Sequence, residues 1–153
     1  MNAQIIQSFG RLYENKKPFS SKPDEDKHVS ALKKQLDDSN KSIGLQRIES
    51  KLKTGARLTG SEKNYLRENS PYMYEKAVRI EIERDEYRWR LERCKTKEEA
   101  KSLNTVKMQT LLCEAMSISS NPSISGANKE ELLTFISMRA AAITKEYSEY
   151  SNS

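Results

Sequence analysis

Oxygen-bearing side chains recur between Asp38 and Glu49 at a spacing that could bind calcium. If Asp38 is position 1, Asn40 is position 3, Ser42 is position 5 and Glu49 is position 12. These positions supply ligands in an EF-hand loop. Position 6 should be glycine but is Ile43. The pattern predicts at most a degenerate single calcium site, and helix capping by Asp38 or Ser42 is the ordinary alternative. We assign no metal ligand and expect no cofactor.

Basic residues concentrate in the first part of the chain, and the net charge is +5. Residues 1–60 hold 12 Lys or Arg against 7 Asp or Glu, whereas the two signs balance afterwards. The predicted short helices 43–53 and 60–67 carry this basic region, 47–67. In a helix-turn-helix the second of them would lie in the major groove, where Arg and Asn read base edges. The candidate residues are Lys51, Lys53, Arg57, Lys63, Asn64 and Arg67. Nucleic-acid binding is therefore an alternative function, and a solvated basic face is the ordinary interpretation.

Catalytic signatures are sparse in this sequence. It has one histidine, His28, in a polar segment, so a catalytic Ser-His-Asp or Cys-His group would have to form around it. Phosphate-loop, dinucleotide-binding, zincin and hydrolase-elbow motifs do not occur. We therefore expect a protein that is not an enzyme.

The first residues combine an amphipathic pattern with a polar connection. Ile5, Phe9 and Leu12 or Tyr13 recur at helical spacing, and 15–27 contains two prolines and charges of both signs. A short amphipathic segment on a flexible linker is a common way to dock into a partner's groove. We predict an arm and linker at 1–27 and a helical domain at 28–153. Folding of the arm onto its own domain is the alternative.

Capping signals and apolar spacing predict helices throughout the rest of the chain. Ser70 followed by Pro71 resembles a helix start, and Thr59 with Glu62 resembles a capping box. The predicted main helices are 71–94, 97–117 and 129–149, the last capped by Asn128, and the predicted short helices are 28–36, 43–53 and 60–67. No strand pattern is sustained. The sequence predicts an all-α fold, a small bundle of three main helices plus two or three short N-terminal ones.

The predicted helix 71–94 carries an apolar seam with a heptad spacing. Its members are Met73, Ala77, Ile80, Arg84, Tyr87, Leu91 and Cys94, and a second row holds Tyr74, Val78, Ile82 and Trp89. Two apolar rows need two neighbours, which places this helix at the centre of a bundle. The alternative is a coiled-coil contact with a second copy or a partner, in which Arg84 sets the register and Trp89 lies at the interface.

Composition limits the remaining possibilities. The chain has 153 residues, of which 35% are hydrophobic and 32% charged. No apolar run approaches the length of about 18 residues that suggests a membrane helix. We expect a cytoplasmic, non-enzymatic scaffold that binds a protein partner through its arm and its basic short helices. We expect no membrane contact and leave a homodimer open.

Overall fold

The computed structural model of the protein describes residues 23–153. They form five helices and contain no strand. The helices are α1 (Pro23–Lys53), α2 (Gly60–Asn69), α3 (Pro71–Glu92), α4 (Lys97–Ser120) and α5 (Gly126–Asn152). The predicted all-α class is confirmed.

The chain divides into two compact units, residues 1–40 and residues 41–153. In the first unit, the described residues belong to the N-terminal part of α1. The second unit contains the end of α1 and all of α2 to α5. The arm residues Ile5, Phe9, Leu12 and Tyr13 lie outside the described residues.

Three of the predicted helix starts are confirmed. The Thr59 side chain accepts from the backbone N–H of Glu62, and the Glu62 carboxylate accepts from the backbone N–H of Thr59, which completes the capping box. Ser70 caps α3 with Pro71 at its first position, and Thr96 caps α4. Because each cap satisfies N–H groups that have no partner within the helix, the sequence locates these starts to the residue.

The start of α5 differs from its prediction. The helix begins at Gly126, because the Ser125 hydroxyl accepts from the backbone N–H of Asn128 at 3.4 Å. Asn128 is therefore inside the first turn and does not cap the helix. Ser125 and Asn128 lie three positions apart, and serine and asparagine are both good N-cap residues. The helix is capped by the first of the two, Ser125.

The two short helices predicted at 28–36 and 43–53 are wrong, because α1 is one continuous helix. Asp38 to Ser42 are polar, but they cost a helix only a few tenths of a kcal/mol each, and no proline interrupts them. Residues 38–49 are all helical, so they do not form the loop that the calcium pattern requires. The helix also begins at Pro23, inside the stretch interpreted as a linker.

The burial of the α3 seam is confirmed. Its buried members are Ala77, Ile80, Arg84, Tyr87 and Leu91. They pack against α2 and α5, and α4 also packs against α5. One core cluster forms around Ile80 and Leu66, and a second forms around Leu91 and Ile143.

The second α3 row follows its prediction only in part. Tyr74 is partly buried against the first core cluster, whereas Ile82 and Trp89 are each 55% exposed. The α5 helix lies on one side of α3, and the C-terminal half of this second row faces away from the core.

A glycine turn at the end of α1 brings this helix against α5. The N–H of Ala56 donates to the carbonyl of Lys51, and the N–H of Gly55 donates to the carbonyl of Leu52. These bonds and the positive φ of Gly55, 74°, define a Schellman helix end. Gly55 lies close to the backbone of Ala141 in α5. The turn therefore connects α1 to α2 and also packs against α5.

Candidate interaction surface

The predicted basic face is largely paired with carboxylates of the same chain. Lys51 contacts Glu62 at 2.6 Å, Lys53 contacts Glu49 at 2.8 Å, and Lys63 contacts Glu81 at 2.6 Å; the first and last of these pairs join different helices. Asn64 and Arg67 lie exposed on α2. A phosphate backbone is bound by cations that are free to contact it. These ion pairs reduce the electrostatic attraction for nucleic acid that the sequence suggested.

Arg57, the remaining basic candidate, belongs to an ionic cluster at the edge of the core. It donates to Asp85 at 3.1 and 3.2 Å and to Glu146 at 3.3 Å. Glu146 is only 4% exposed and also contacts Arg88 at 2.7 Å. The cluster ties the α1–α2 connection to α3 and α5. We therefore interpret Arg57 as a structural residue.

Arg84 is buried inside the bundle and does not lie on an exposed face. It donates to the carbonyl of Gly55 at 2.5 Å, and its Nε has no hydrogen-bond partner among the described residues. Burial lowers the pKa of the Arg84 guanidinium, and the charge of Arg57 lowers it further. Its own chain covers Arg84, so its side chain offers no exposed surface to a second copy. Trp89 is exposed under the Arg93 guanidinium, whose carbon lies 3.9 Å from the ring centroid.

A second ionic cluster ties α3, α4 and α5 together. Glu83 contacts Arg139 at 2.6 Å and Lys107 at 2.7 Å, and Arg139 also contacts Glu114 at 2.8 Å. Burial raises the pKa of Glu83, but the hydrogen bonds from Arg139 and Lys107 outweigh it and hold the pKa below its ordinary value. Sequence reasoning missed this cluster because its members are far apart in the chain.

We expect Glu83→Gln to destabilise the protein by about 1–3 kcal/mol at neutral pH, because it removes a charged hydrogen-bond acceptor. A carboxyl with a lowered pKa stabilises the fold above its unfolded pKa, and this contribution is lost as the pH falls through the folded value. Urea unfolding should therefore separate variant and parent at neutral pH and bring them together well below pH 4.5. The exposed Glu75→Gln serves as the control. An equal difference at both pH values would contradict the prediction.

A cleft of about 400 Å³ lies among the end of α1, α3 and α5. Met73 and Phe135 are among its apolar lining residues. At its rim, Lys76 contacts Glu131 at 2.8 Å, and the Tyr72 hydroxyl donates to the same carboxylate. Because these rim groups already bond each other, the cleft offers few free polar groups to orient a small ligand.

The described residues hold no metal-binding group and no membrane-spanning helix. No three His, Cys, Asp or Glu side chains in 23–153 are placed to share an ion. None of the helices in this range is long and apolar enough to cross a membrane.

Exposed apolar side chains follow one another along the first part of α1. Val29, Leu32 and Leu36 are spaced by 3 and 4 residues and are 50%, 64% and 61% exposed. We name these three residues the α1 stripe. Residues 26–43 are exposed on every side of the helix. Most helices of globular proteins are stabilised by packing of an apolar face, and the stripe has no such packing within the described chain.

Sequence reasoning missed the α1 stripe because the helix was divided in two at Asp38. The signal was present in the spacing, since Ile43 follows Leu36 by one heptad. A search for heptads across the whole of 23–53, with polar residues tolerated, would have found it. The α1 stripe therefore precedes the predicted basic region, 47–67, in the sequence.

The comparisons with known proteins add no constraint on this surface. No family model, curated protein or solved structure matches the chain. The function has to be argued from the geometry of the described residues alone.

Proposed function

We propose that this protein is a non-catalytic helical scaffold that binds another protein chain, with the α1 stripe as its contact surface. The observation that carries the proposal is an unpacked helical stretch, 26–43, with apolar residues on one side. A partner helix laid along Val29, Leu32 and Leu36 would bury these side chains. Each fully buried leucine or valine contributes about 1.5–3 kcal/mol relative to its exposed state.

The predicted arm is retained as a second contact in this proposal. Ile5, Phe9, Leu12 and Tyr13 precede α1 in sequence and share its amphipathic spacing. The basic short-helix region is no longer the leading surface, since Lys51, Arg57 and Lys63 contact carboxylates of their own chain. For the same reason a protein partner is favoured over nucleic acid.

A capture experiment with matched variants tests this function. Tagged parent protein, a Leu32→Glu/Leu36→Glu double variant and a Leu112→Glu control would be incubated with native-host extract. Leu112 is 60% exposed on α4, so it matches Leu36 in exposure but lies outside the α1 stripe. We expect the parent and the control to capture the same protein and the double variant to lose it.

Nuclease treatment of the same extract separates the two partner classes. Capture of a protein through the α1 stripe should survive nuclease, because no nucleic acid bridges the contact. Loss of capture on nuclease treatment would favour the basic-region alternative. Capture that the double variant retains would contradict the proposed surface.

A further inference from the structure

We propose that the chain covering the α1 stripe is α1 of a second copy, paired in parallel as a two-stranded coiled coil. This inference rests on the proposed function, because it names the partner of the same surface. Val29 and Leu36 occupy heptad position a, Leu32 occupies position d, and Ile43 falls on the next a position. In a parallel pair in register, each of these residues meets its own counterpart.

The residue types on the seam favour two strands. β-Branched residues at a, combined with leucine at d, select a parallel dimer over larger assemblies. Two of the three a residues, Val29 and Ile43, are β-branched, the third is Leu36, and Leu32 is the leucine at d. Ser39, at the following d position, is small and polar. A polar residue on the seam lowers the stability of the pair.

The flanking positions are compatible with pairing between identical chains. In a parallel dimer, a g residue faces the e residue five positions later in the other chain, and charges there select the partner. Here Gln35 faces Asn40, and His28 faces Lys33. Neither pair sets one lysine or arginine against another, or one carboxylate against another. They also provide no set of charges that would direct the helix to a different partner.

The same positions disfavour an antiparallel pair. If Leu32 of one copy packed against Leu36 of the other in opposite directions, e positions would face e positions. Lys33 would then lie beside Lys33 of the second copy. Like charges repel, which disfavours this antiparallel register.

The helix leaves room for a second copy. Within residues 41–53, Leu45, Ile48 and Leu52 face the bundle, whereas Ile43 and Gln46 are exposed on the opposite side. Residues 26–40 are exposed all round. Val29, Leu32, Leu36 and Ile43 are therefore all exposed among the residues that the structure describes.

Dimerisation should be reversible and depend on concentration, because the seam spans little more than two heptads. Sedimentation equilibrium of the purified full chain is expected to show a mass that doubles as the concentration rises. Leu36→Glu should keep the mass at the monomer value throughout. Leu112→Glu, at a matched exposed position, should behave like the parent.

Two further measurements serve as controls, one for the apolar character of position 36 and one for the folding of the variant. Leu36→Ile retains an apolar residue at a and should still dimerise. Circular dichroism should show that the Leu36→Glu bundle remains folded; if it does not, Leu32→Gln replaces it as the test variant. A parent chain that stays monomeric at all concentrations would overturn the inference, as would a dimer that Leu36→Glu and Leu32→Gln both leave intact.

The experiments distinguish failure of the second-copy inference from failure of the proposed function. If the purified chain is monomeric but captures a different protein through Leu32 and Leu36, the second-copy inference falls and the proposed function stands. If the chain is monomeric and captures nothing through these residues, both fall. If the captured protein is identified by mass spectrometry as this same chain, both are supported.

Discussion

Gly55→Ala is expected to destabilise the protein by about 2–5 kcal/mol. A left-handed φ costs an L-residue about 1–2 kcal/mol, and overpacking typically costs about 1–3 kcal/mol more. Both apply here, because φ is 74° and an added Cβ would lie 2.6 Å from the carbonyl carbon of Ala141. Backbone atoms cannot move aside as the end of a side chain can. Chemical denaturation followed by circular dichroism measures the effect.

Gly126→Ala provides the matched control for this prediction. Gly126 is the first residue of α5, and a Cβ added there meets no atom within 4 Å. Alanine is better than glycine in a helix by about 0.5–1 kcal/mol, so this variant should be neutral or slightly stabilised. If the two alanine variants unfolded at the same denaturant concentration, the close approach of Gly55 to α5 would be incorrect.

The sequence predicts most of the bundle because local signals and tertiary packing agree there. The capping box at Thr59, the proline after Ser70 and the α3 seam all refer to residues a few positions apart. Each is strong enough to be recognised without knowledge of the neighbours. The starts of α2, α3 and α4 and the buried face of α3 could therefore be located from sequence.

The features that the sequence did not predict depend on the three-dimensional structure of the chain. Asp38 to Ser42 suggest a loop on composition, but the helical stretches on both sides continue through them because polar residues only weakly oppose a helix. The partner of Arg57 is 89 residues away at Glu146. No spacing rule links such residues. For this reason the charge pattern suggested a free basic surface where the fold forms ion pairs.

The exposure of the α1 stripe could not be predicted from the sequence either. Exposure of Val29 and Leu36 is a tertiary property, since it depends on which helices fail to reach them. Heptad spacing can suggest an apolar seam, but it does not say whether the chain buries it. The α3 seam is buried, whereas the α1 stripe is exposed among the described residues, although both follow the 3-4 pattern.

Glu146→Ala is expected to destabilise the protein by about 3–5 kcal/mol, because it removes the carboxylate from a buried ionic cluster. Arg57 and Arg88, which contact Glu146, are 40% and 50% exposed and can be hydrated when it is lost. Arg84 is 4% exposed, so water cannot hydrate its guanidinium when the Glu146 carboxylate is lost. Thermal unfolding of Glu146→Ala beside Glu130→Ala, an exposed position on the same helix, measures the effect.

A double variant tests whether Glu146 acts through Arg84. The charge of Glu146 raises the pKa of Arg84, against the larger lowering by burial. With Arg84→Met already in place, no buried cation depends on the carboxylate, and replacing a buried ionic group by an apolar one is often nearly neutral. Glu146→Ala should therefore cost much less in the Arg84→Met background than in the parent. Equal costs in the two backgrounds would mean that Glu146 stabilises the fold only through the exposed arginines.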